Sequence, residues 1–150
     1  MRQGIFEKEI FIRSNAATVI RILADYSQHH KIHPLIVKVE RAADAPPGVR
    51  RYYITDRLQW GPFRFKIKYR ADILSISGNS VHTEAYQSPG TTVTNVTKIT
   101  PKDDGVLLHE TITLTAPDLL FNYAFQQANA AHEEMLQRIK RFIESNPVIE

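Results

Sequence analysis

Asp118-Leu-Leu-Phe-Asn-Tyr-Ala-Phe-Gln-Gln-Ala-Asn-Ala-Ala-His-Glu-Glu-Met-Leu-Gln-Arg-Ile-Lys-Arg-Phe-Ile-Glu-Ser145 decides the fold. At about 100° per residue, Leu120, Phe121, Ala124, Phe125, Ala128 and Ala131 continue into Met135, Leu136, Ile139, Phe142 and Ile143 along one apolar stripe. Pro117 suits the first helical position, and Asn146-Pro147 should end the helix. At about 1.5 Å per residue the helix runs roughly 40 Å. A helix of that length needs a broad apolar surface to lie against.

The stripe changes along its length. Its middle line is thin at first (Ala124, Ala128, Ala131) and thick later (Met135, Ile139, Phe142). Such a helix would seal one end of a core and leave room at the other. His132 also falls inside the stripe, beside Phe125 and Ala128. The alternative is a solid core, with alanine present as a good helix former and His132 held by a local hydrogen bond.

Upstream, Ile5 to Arg13 reads as a first strand. Ser14 or Asn15 then caps a short helix, Ala16 to Asp25, and Tyr26 to His33 makes a second helical turn ended by Pro34. From Leu35 to Ala116 there is no helical period. Gly48, Gly61, Gly78, Gly90 and Gly105 punctuate this region as turns between the runs Leu35–Ala43, Val49–Trp60, Phe63–Ser77, Ser80–Ser88, Thr91–Thr100 and Val106–Ala116. Short connections imply an antiparallel meander. In the third run Phe63, Phe65, Ile67, Tyr69, Ala71 and Ile73 alternate with Arg64, Lys66, Lys68, Arg70 and Asp72, which predicts one buried and one wet face. In the last run Glu110 shares a face with Leu108, Ile112 and Leu114. The expected class is α+β: a seven-stranded, curved antiparallel sheet in the order β-α-α-β6-α, wrapped around the long terminal helix as a single domain, 1–150.

Composition narrows the function classes. The 150 residues have 43% hydrophobic and 23% charged content, ordinary globular values. The net charge of +3 is mildly basic and favours anionic partners without demanding them. With no cysteine, disulfides, thiolate metal sites and a cysteine nucleophile are excluded. Met1 to Lys8 lacks the apolar core of a signal peptide, and no run approaches the roughly 20 apolar residues of a membrane span. A cytoplasmic protein without stable membrane insertion is expected. Asn95-Val96-Thr97 matches a glycosylation sequon that carries no meaning in such a chain.

The run Ile12-Arg-Ser-Asn-Ala-Ala-Thr-Val19-Ile-Arg-Ile-Leu23-Ala-Asp25-Tyr26 resembles the opening of the SRPBCC superfamily, which includes START domains, pollen-allergen-like proteins and polyketide cyclases. The likeness continues through His33-Pro34 and the glycine-spaced strands to the long terminal helix. It implies a helix-grip fold around a deep apolar cavity for a lipid, sterol, polyketide or similar molecule. Carriers and enzymes both occur on this fold, so fold does not decide function.

If the cavity exists, the second long strand offers Tyr52, Ile54 and Asp56, with Trp60 near its end, and the third offers Phe65 and Tyr69. Thr83, Glu110, Phe125, Ala128 and His132 complete the expected wall. Glu110 and His132 form either an acid–base pair, with Asp56 as a further candidate, or a structural hydrogen-bonded pair. His29, His30 and His33 read as a solvated loop, because a residue before proline leaves helical geometry, so no metal is expected. The Arg64, Lys66, Lys68, Arg70 row reads as a solubilising outer face, so no nucleic-acid partner is expected. No cofactor is implied, and the state is monomer or homodimer. Three functions remain open: a carrier or sensor of a hydrophobic small molecule, a cyclase- or aromatase-like enzyme, and a partner-binding module with a vestigial cavity.

Overall fold

A computed structural model describes residues 1–145, with Trp60 described through its backbone only. The expected stop at Asn146-Pro147 lies outside the described residues. In chain order the elements are β1 (Arg2–Ile12), α1 (Ala16–Leu23), a 3-10 segment (Tyr26–Lys31), β2 (Ile36–Arg41), β3 (Arg50–Trp60), β4 (Phe63–Ser77), β5 (Ser80–Gln87), β6 (Thr91–Lys102), β7 (Gly105–Ala116) and α2 (Asp118–Ser145). The strands form one antiparallel sheet in the order β1-β7-β6-β5-β4-β3-β2. Six consecutive strands make the meander, and β1 returns to pair with β7. This is the expected α+β, β-α-α-β6-α arrangement, a curved sheet gripping a long helix. Register shifts in β2 (Ile36/Lys38) and β4 (Ile73/Ser75) bend the strands locally.

Local chemistry places the joints. Asn15 caps α1, its Oδ1 accepting the Thr18 N–H at 2.8 Å. Gly61 (φ +59°) and Gly78 (φ +58°) adopt the left-handed conformation at the tight turns either side of β4, where a Cβ would be strained. Gly105 departs from expectation. The β6–β7 turn uses Asp103 at φ +52° instead, and Gly105 opens β7 where a Cβ would press on the Ile12 carbonyl oxygen.

The period-2 burial holds without a break in β7, where Val106, Leu108, Glu110, Ile112, Leu114 and Ala116 are all buried. It fails at the start of β4. Phe63 is 72% exposed and Phe65 36%, because the part of α2 opposite them is thin and does not reach across. Asp72, read as part of the wet face, is buried beneath a two-pronged ion pair from Arg51 (2.8 and 3.1 Å).

α2 packs on β1 and β7 in two distinct ways. Its second half is solid: Met135, Leu136, Ile139 and Ile143 join Ile12, Val19, Leu23 and Leu108 in the main core. Lys140 Nζ donates to the Phe11 carbonyl at 2.7 Å, and Glu144 accepts the Arg13 N–H at 2.9 Å. In the first half Phe121 and Phe125 stack at 5.3 Å and Phe125 meets Phe6 edge-on at 5.4 Å. Gly4 admits these rings, since a Cβ there would lie 2.8 Å from each.

Candidate ligand-binding cavity

Between the thin half of α2 and the concave sheet face lies a cavity of about 400 Å³. Leu58, Phe65, Ile67, Leu114, Ala124 and Ala128 supply much of its wall. Gln87, Ser88, Pro89, Tyr123 and Gln127 also line it, and of these Ser88 and Pro89 are exposed. A smaller chamber of about 100 Å³ lies deeper, toward Tyr26, Ile54, Thr83, Asn95, Thr97, Glu110 and Met135. The two share His33, Tyr69, Ala85, Val93 and His132 as walls. An apolar space with a few polar groups at one end is the usual form of a small-molecule site.

Glu110 has no solvent-exposed surface. Its Oε2 accepts from Asn95 Nδ2 and faces His132 Nδ1 at 3.3 Å, while Oε1 has no partner among the described residues. Asp56 is also buried, and burial pushes its carboxyl up to about pKa 6, partly offset by the Tyr69 hydroxyl that donates to it at 3.3 Å. The same burial raises the Tyr69 phenol well above its usual range. Burial also raises Tyr26 to about 12, opposed by its hydrogen bond with Thr83.

Of the residues expected from sequence, Asp56, Phe65 and Ala128 line the outer cavity, Ile54, Thr83 and Glu110 the inner chamber, and Tyr69 and His132 both. Glu110 and His132 are brought together, whereas Asp56 bonds Tyr69 instead. Two placements differ. Tyr52 faces the concave side but is packed in the core against the Tyr26 ring at 5.2 Å, because the 3-10 segment fills the space above it. Phe125 turns to β1 and the Phe6 ring, away from the cavity. The Trp60 side chain lies outside the description.

The histidines correct the reading of a solvated loop. Only His30 is exposed; His29 is 5% exposed, with Nε2 donating to the Ile22 carbonyl at 3.0 Å. Burial lowers its pKa to about 4. His33 lines both chambers, and burial and the neighbouring His132 lower it to about 3. Its Nδ1 accepts the Leu35 N–H at 3.3 Å, as a neutral ring can. Among the described residues no group of His, Asp and Glu is placed to hold a metal, and no helix is long and apolar enough to cross a membrane.

Asn95 and Thr97 belong to the sequon, yet the alternation Val93, Asn95, Thr97, Ile99 puts both on the cavity face of β6. His33 and Tyr26 had no such signal, since an irregular segment has no period to read.

A curved antiparallel sheet closed on a long helix, with a cavity between them, defines a helix-grip fold. The expected likeness to the SRPBCC superfamily is borne out, as a likeness of fold, in solved structures that include START proteins, aromatase/cyclases and Ara h 8.0201. The di-domain ARO/CYC StfQ from the steffimycin biosynthetic pathway superposes with a TM-score of 0.77 at 16% identity, over 95% of this chain and 51% of that one. The chain therefore spans about half of StfQ's length. A START superfamily protein from Mycobacterium smegmatis gives 0.71 at 16% identity, over 94% and 97%. The Zhui aromatase/cyclase from Streptomyces sp. R1128 gives 0.65 at 15% identity, over 98% and 100%. At such identities the likeness is one of fold. No family profile and no curated protein matches the chain by sequence.

Proposed function

We propose that residues 1–150 act as one cytoplasmic domain that binds a hydrophobic small molecule between the sheet and α2, as a carrier or sensor. The observation that carries this is the space of about 400 Å³ left by Ala124, Ala128 and Ala131 where a large side chain would close it. Its size falls within the roughly 300–1,000 Å³ of small-molecule sites. START and aromatase/cyclase proteins of the same fold support the reading. Native mass spectrometry of the purified protein tests it: a co-purifying apolar molecule is expected. Ala128→Phe, which places a ring in the open space, should abolish that mass shift while the thermal midpoint holds or rises. Retention of the guest by a folded Ala128→Phe protein sinks this placement.

The second reading is a cyclase-like enzyme, favoured by one observation: the His132 imidazole lies 3.3 Å from the Glu110 carboxylate beside an apolar space. Such a pair can move protons on a bound polyketide. Glu110→Gln should then lower turnover by about 10²-fold or more, whereas a carrier would keep its retention of an apolar guest.

A further inference from the structure

Glu110 sits midway along β7, in the buried row between Leu108 and Ile112. The Thr97 hydroxyl donates to Asn95 Oδ1 at 3.3 Å, which turns the Asn95 amide N–H toward Glu110 Oε2. His132 Nδ1 faces the same oxygen. Donors converging on one oxygen suit a carboxylate. Oε1 is left as the one buried side-chain polar atom without a partner among the described residues. A buried acceptor left unmet is destabilising unless something donates to it. Glu110 lines the inner chamber, whose walls also include the rings of Tyr26, His29, His33, Tyr69 and His132. Neither chamber is lined by a lysine or arginine.

We infer that Glu110 Oε1 is the polar anchor of the cavity, selecting a flat apolar ligand whose hydroxyl donates a hydrogen bond to it, a phenol or an enol. This rests on the small-molecule reading above. Two groups of ligands are excluded by the same chemistry. An ether or ketone brings a second acceptor to an acceptor and leaves both unmet. A carboxylate brings a negative charge to a site holding Glu110 and Asp56 with no cationic lysine or arginine to receive it. The ring-lined inner chamber accommodates the hydroxylated edge, and the apolar outer cavity holds the rest.

Titration of the protein near neutral pH with 2-naphthol, 2-methoxynaphthalene and 2-naphthoate, read by calorimetry, tests the assignment. In an apolar pocket without an anchor the ether would bind at least as well as the phenol, because burying a hydroxyl is unfavourable. The expected order is phenol, then ether, then carboxylate, with the phenol favoured over the ether by about 10-fold or more. Glu110→Gln should bring that ratio to about one: the amide oxygen takes the Asn95 and His132 donors, and an N–H group replaces Oε1. Should this variant not fold, the wild-type order still decides. Equal or tighter binding of the ether or the carboxylate overturns the anchor and leaves the cavity standing. No saturable binding of any of the three overturns both.

Discussion

Asp56 and the two buried histidines pull stability in opposite directions with pH. The Asp56 carboxyl rises from its usual 3.8 to about 6 on burial, so between those values the folded chain holds the proton more tightly than the unfolded one. Its contribution is present at low pH and lost as pH rises through 6. Asp56→Asn should therefore be more stable than wild type by about 1–3 kcal/mol at pH 7.5 and about equal near pH 4, in urea unfolding at both values. His29 and His33 are depressed to about 4 and 3. Each supports the fold above 6.5 and loses that support as pH falls toward its folded value. Two histidines outweigh one aspartate, so wild-type stability should decline with acid below about pH 6.5. His29→Gln should flatten that decline by about 2 kcal/mol between pH 6.5 and 4; an unchanged acid limb would show that His29 is protonated freely in the folded chain. Glu110 could be picked out in the sequence because strand alternation surrounded it with apolar neighbours. His33 could not, because its depth comes from where a non-repeating segment happens to run.

Among the elements, α2 shows how far pattern reaches. The thin and thick halves of its stripe were legible, and so was its partner sheet. Which way Phe125 would turn was not: 100° per residue places a side chain on a stripe but does not say whether its ring leans to β1 or to the open space. The same gap appears in β4, where alternation promised a buried Phe63 that no part of α2 covers. Gly105 was read as a turn, and only the close pass of the Ile12 carbonyl and Arg13 Cα reveals its use. Gly105→Ala should destabilise the protein by about 2–3 kcal/mol, because the obstacle is backbone and cannot swing aside. Denaturant midpoints near wild type would show that β1 can shift to admit the methyl group.

For the molecule as a whole, the order of elements carried the fold, but the size of the cavity is a small difference between large packed volumes and no sequence pattern encodes it. The asymmetry it creates should be measurable. Backbone amides of Met135 to Ile143, over the solid core, should exchange with solvent more slowly than those of Tyr123 to Ala128, over the space. Uniform protection along the helix would contradict the two-halved packing.

Tyr26, His29 and Met135 line the inner chamber, while the exposed Ser88 and Pro89 line the outer cavity. Whatever guest it takes, the end near Tyr123 and Pro89 is the first part a receiving surface could touch.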